Sequence, residues 1–266
     1  MTAATCSALP ATEAADGMLT ALRRGVLAGA VGGLLAGLFG FLLAEPVMDR
    51  AVRLESARLM AAGDHTAVLF DRHTQHVGFV VATLLTGVAL GVLYGVVAGL
   101  LTRGHAGPPP GESWRRACQL GGAAFFALTL VPFLRYPANP PGVGDSGTIE
   151  QRSRLYLLSI VVGLVGAFTA SLLARNLAGR SSATRQLAVS GVLVATVALT
   201  FVLPADTDPL TVPAGLLWTF RLLSLGTLML LWAGLSATYG LLAERAVAQA
   251  VEKQTSVADR VKPSRS

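Results

Sequence analysis

From Val77 to Leu101 the chain runs 25 residues without one charged side chain, and few folds can accept such a stretch. A hydrocarbon core of about 30 Å takes roughly 20 apolar helical residues to cross. In lipid the backbone must satisfy its own hydrogen bonds, so runs of this kind are helices. The pattern recurs at about 25–44 (GVLAGAVGGLLAGLFGFLLA), 117–134, 155–174, 187–203 and 222–243. The expected fold is all-α, a polytopic membrane bundle of about six transmembrane helices. Only 14% of the residues are charged, against roughly 25% in a soluble domain, too few to cover a surface that faces water all round. Arg23 and Arg24 before the first run could open a signal peptide. The run exceeds an h-region of about 7–15 residues, and Leu43-Ala44-Glu45-Pro46 is a poor cleavage site, so a retained helix is expected.

Orientation follows from the basic residues. The N-terminal tail, the alternate loops and the C-terminal tail on one side hold 13 Lys and Arg, against 8 on the other. Positive charge marks the cytoplasmic side, so both termini are expected inside. Residues 1–24 then form a polar cytoplasmic tail, 25–243 the membrane domain, and 244–266 a basic, disordered cytoplasmic tail. The Arg245, Lys253, Arg260, Lys262 and Arg265 cluster suits topology and anionic lipid. No nucleic-acid motif accompanies it. Cys6 and Cys118 lie on the same reducing side and have no metal-site spacing.

Glycine recurs every fourth residue in the first two runs, at Gly25, Gly29, Gly33 and Gly37 and at Gly87, Gly91, Gly95 and Gly99. Each row shares a helix face, and small residues at that spacing let membrane helices approach closely. Packing is the expected use, against each other or a neighbour; a glycine-lined path is the alternative.

Chemistry concentrates in the loops expected outside. Glu45, Asp49, Glu55, Asp64, Asp71, Asp145, Glu150, Asp206 and Asp208, nine of the 15 acidic residues, lie there. Prolines mark where the odd-numbered helices end, giving three hairpins that open outward. The first outward loop also carries His65, His73 and His76, with Asp64 and Asp71 nearby. His73 and His76 share a face if helical. Imidazole with carboxylate suits borderline divalent ions such as cobalt, nickel or zinc, although H-x-x-H alone matches no defined zinc pattern and polar residues of a solvated loop are the competing explanation. Glu45 and Arg221 sit at the outer ends of the first and sixth helices. Either could guard an entrance or anchor at the interface, and Arg221 could pair with Asp206 or Asp208. No H-E-x-x-H, G-x-S-x-G or phosphate loop is present, so an enzyme is not expected.

The segments EPVMDRAV, DRHTQHVGF, LVPFLRYPANPPGVGD and LPADTDPLTVPAGLLWTFRLLSLGTLMLLW, spread between Arg23 and Arg245, resemble the CbtA family of predicted cobalt transporter subunits. That resemblance implies a multi-pass protein of the bacterial cell membrane, serving cobalt uptake for cobalamin synthesis. It implies a small His-bearing membrane subunit as partner, beside the lipid bilayer and a homo-oligomer that the sequence leaves open. Transported Co2+ is the implied cargo, with no permanently bound cofactor. Carried onto this chain, the positions of interest are Glu45, His73, Gln75, His76, Asp206 and Arg221, with His65 after them. Many relatives hold more histidines in the first outward loop. The capture site is therefore either lean here or completed by the partner. A non-transporting scaffold, or a carrier of another small solute, remains the alternative.

Overall fold

The computed structural model describes residues 11–63, 72–102, 111–141, 143–144, 146–205 and 212–261, the side chains of 11–16, 72–73, 146, 254 and 257–261 excepted. Among the described residues there are helices and turns and no strand. The helices are α1 (Ala11–Phe39), α2 (Glu45–Ala61), α3 (Arg72–Thr102), α4 (Glu112–Phe125), α5 (Val131–Arg135), α6 (Ile149–Asn176), α7 (Ser182–Thr200) and α8 (Ala214–Val261). Two π-turns, Gly40–Ala44 and Phe126–Leu130, join α1 to α2 and α4 to α5 without a break. Six continuous helices among the described residues are long and apolar enough to cross a membrane. Leu42, Phe168, Val194 and Val202 are among the large apolar side chains left exposed, which water would penalise and lipid does not.

Several boundaries differ from those expected. Helix one does not end at Ala44 but continues through Glu45-Pro46 to Ala61, whereas helix three ends at Arg135, within one residue of the expected Leu134, and carries Pro132 inside it. The same device serves both. The N–H of Glu45 bonds to Gly40 O, and the N–H of Val131 to Phe126 O. A proline follows at once in each case. Proline lacks the N–H that an α-turn would use and crowds the carbonyl four residues back. The wider i→i+5 turn resets the carbonyl register just ahead of it, so the helix survives. At the termini, α1 already begins at Ala11, inside the expected polar tail. Helix α8 continues through 244–261, where a disordered tail is expected. The stretch AERAVAQAVEKQ is rich in strong helix formers and holds no Gly or Pro.

The chain divides into two compact units, one of Met1–Leu35, Ala82–Gly121 and Ala233–Ser266, the other of Ala36–Val81 and Gly122–Trp232. In the first, the glycine rows of α1 and α3 face each other. A Cβ on Gly25 would strike Gly91 O, one on Gly29 would strike Gly87 O, and one on Gly33 would stand 2.6 Å from Thr83 O. Gly95 meets the Ala21 backbone, while Gly99 meets Met18 and Ala21 side chains. Tyr94 and Tyr239 pack edge to face at 5.1 Å, and Tyr94 donates to Ala117 O at 2.6 Å. At the start of α4, the Glu244 carboxylate accepts from the N–H groups of Gly111 and Trp114, both at 2.9 Å.

In the second unit, α6 lies against the π-turn Phe126–Leu130 and α7. A Cβ on Gly163 would be 2.5 Å from Ala127 O, and Gly166 takes the Thr196 side chain. The buried hydroxyls of Ser159, Thr196, Thr200 and Thr227 each donate to a carbonyl three or four residues back. That satisfies them locally where no water reaches. Trp232 Nε1 donates to Thr129 Oγ1 at 3.0 Å, joining α8 to the π-turn. Such interhelical bonds average about 0.6 kcal/mol in membranes. Thr129→Val should therefore lower stability by about that amount, as measured by unfolding in detergent, and leave insertion intact.

Candidate metal site

The continuation of helix one through Pro46 has a chemical consequence. Glu45 is the first residue of α2 and Asp49 lies four residues on, so helical geometry places both carboxylates on one face. His76 stands in the second turn of α3. In the second unit these two segments meet. His76 Nε2 lies 3.1 Å from Glu45 Oε2 and 3.8 Å from Asp49 Oδ1. One ligand atom from each of the three residues falls within 4.8 Å of the others, and no other such group occurs among the described residues. The Glu45 side chain is 11% exposed, that of His76 27% and that of Asp49 31%, so the group is shielded on one side and open on the other. The Phe41 ring stands edge-on to the imidazole at 6.0 Å.

The donor set is one imidazole and two carboxylates, with no thiolate. It matches borderline or hard divalent ions and not the soft monovalent copper ion. Two atoms bonded to one ion at about 2.1 Å can stand no more than about 4.2 Å apart. The imidazole lies within that limit of both carboxylates, at 3.1 and 3.8 Å. Three protein donors leave further coordination positions for water, as an ion in transit needs.

Of the expected metal residues, Glu45 and His76 come together here. His73 lies in the first turn of α3, but its side chain is outside the described residues, as are Asp64, His65 and Asp71. Gln75 is half-buried beside His76 in sequence. Asp49 was not among the expected ligands. Its signal was the four-residue spacing from Glu45, hidden because Pro46 reads as the end of the helix.

The other charged candidate lies elsewhere. Arg221 stands seven residues into α8. Its Nη2 donates to Asn139 Oδ1 at 2.8 Å, and its guanidinium lies 5.5 Å from the Trp218 ring centre. Asp206 and Asp208, its expected partners, are outside the described residues. Nearby, Arg135 Nε donates to Leu203 O at 3.1 Å and Tyr136 Oη to Pro204 O at 2.7 Å. The YPANPP segment is thus fastened both to the end of α7 and to α8. The glycine rows lie in the other unit except Gly37, which is buried in the second unit.

A family model described as a probable cobalt transporter subunit (CbtA) matches residues 18–244. No curated protein and no solved structure matches the chain.

Proposed function

The chain belongs to the family of probable cobalt transporter subunits (CbtA), and from that membership we propose that it is a permease component that takes up cobalt through Glu45, Asp49 and His76. One observation carries the assignment to these residues: two carboxylates and an imidazole, 27–31 positions apart in sequence, converge at the end of an apolar helix pair. The proposal includes both termini in the cytoplasm, as the distribution of basic residues predicts. It places the triad on the outer side, where acidic loops raise the local cation concentration. The ion sheds part of its water, is held by the three side chains, and keeps its remaining positions for water or a partner's donors. We assign the uptake to cobalamin synthesis, and the partner role to a small His-bearing membrane subunit.

Radiolabelled cobalt uptake by cells lacking this protein, with and without the wild-type gene restored, is the test. Restored uptake is the expected result. Equal uptake in both strains would remove the transport assignment and leave a scaffold that carries no ion. Restored uptake of a different solute only would make it a carrier of that solute.

A further inference from the structure

The π-turn Gly40–Ala44 sits directly between the membrane-embedded part of helix one and the two carboxylates. A π-turn holds one residue more than the α-turn it replaces. Rewinding it as α-helix would turn everything beyond it by one residue's rotation, about 100°. Glu45 and Asp49 would swing off the His76 face together, and the triad would come apart without any ligand moving relative to its own helix.

Several contacts hold the wide turn in place. Gly40 packs on Phe79 of α3, whose ring atoms would lie 2.5 Å from a Cβ at that position. Phe41, the next residue, stands nearly perpendicular to the His76 ring. Upstream, the Phe39 ring lies 3.3 Å from the Cβ position of Gly226 on α8. Helix one is therefore held at Phe39, Gly40 and Phe41, and its two contacts on α3 are the histidine itself and Phe79, three residues further along. Pro46 adds a bias, because an α-turn would press its ring on the carbonyl of Leu42. Leu42 and Leu43 point outward, 65% and 50% exposed, so the turn can narrow without emptying a packed core.

We propose that the π-turn Gly40–Ala44 is the release element of the ion site: wide, it assembles Glu45 and Asp49 against His76; rewound as α-helix, it parts them and lets the ion go. The inference rests on the triad being the ion site, and deepens it by naming what opens it.

Deleting Leu42 removes the extra residue. The helix beyond keeps its facing, because a π-turn and an α-turn one residue shorter rotate the chain almost equally. The triad stays assembled but can no longer be opened by rewinding. Purified ΔLeu42 protein should bind Co2+ within about threefold of wild type, while cellular uptake falls by about tenfold or more, because the opening step that limits turnover is lost. Uptake at the wild-type level would overturn the proposal.

If ΔLeu42 fails to insert or to bind, spin labels decide. Arg53→Cys on α2 and Val81→Cys on α3, in a background without Cys6 and Cys118, report the rotation of α2. Two label distances without ion, merging to one with Co2+, support the proposal. One unchanged distance in both conditions overturns it. Should the wild type take up no cobalt at all, the transport assignment fails separately, and the ion-free label distances still show whether the turn has two states.

Discussion

His76→Ala, Glu45→Gln and Asp49→Asn are each expected to depress cobalt uptake at limiting ion concentration by well over about tenfold, since even groups that only hydrogen-bond to a metal's ligands cost about 10–100-fold when lost. The loss should appear mainly in the concentration needed for half-maximal uptake, because the side chains act in capture. Glu55→Gln supplies the contrast. Glu55 lies on the same helix as the triad carboxylates but outside the group that converges on His76. It removes the same charge from α2 and should leave uptake unchanged. Equal losses in Glu45→Gln and Glu55→Gln would show that loop charge, not coordination, attracts the ion. Binding should also weaken as pH falls, because metal ligands must be deprotonated to bind.

The largest structural effect belongs to Gly29→Ala. Its new methyl group would meet the Gly87 carbonyl and lie 2.9 Å from Gly91 Cα, backbone atoms that cannot turn aside as a side chain would. Helices α1 and α3 would have to separate, and the contacts at Gly25 and Gly33 would loosen with them. Overpacking costs about 1–3 kcal/mol, occasionally more, and this case stands at the upper end. Reduced yield of monodisperse protein in detergent and a lowered unfolding temperature would register it. Gly122→Ala and Gly191→Ala meet nothing within 4 Å and should be tolerated. A Gly29→Ala protein as stable as wild type would contradict the close approach of the two helices.

Much of this architecture was legible in the residues. Uncharged runs such as 77–101 specify crossing helices through length and polarity, and no tertiary packing can override that in lipid. Glu45 and His76 stood out as ionisable groups beside apolar runs. The partner Asp49 did not, because proline ordinarily ends a helix and EPVMD therefore read as loop. Whether a π-turn forms ahead of Pro46 depends on Gly40 fitting under the Phe79 ring, a contact between segments that no local pattern encodes. Arg221 shows a related limit. The uncharged run starts at about Leu222 and leaves open an earlier start with Arg221 at the interface, and α8 begins at Ala214. Asn139, which accepts its hydrogen bond, comes from a loop 82 positions away.

Glu244 sets a condition on how the protein is made. The first turn of any helix holds N–H groups that its own carbonyls cannot reach. In α4, two of the backbone groups at that end, Gly111 and Trp114, bond to a carboxylate 133 and 130 positions further along the chain. The ribosome delivers that carboxylate only after every other crossing has been synthesised. Until then the entrance to the third crossing must borrow water for those groups. The last helix therefore fastens the start of the third, and a nascent chain stopped short of Glu244 carries an unfinished helix in its middle.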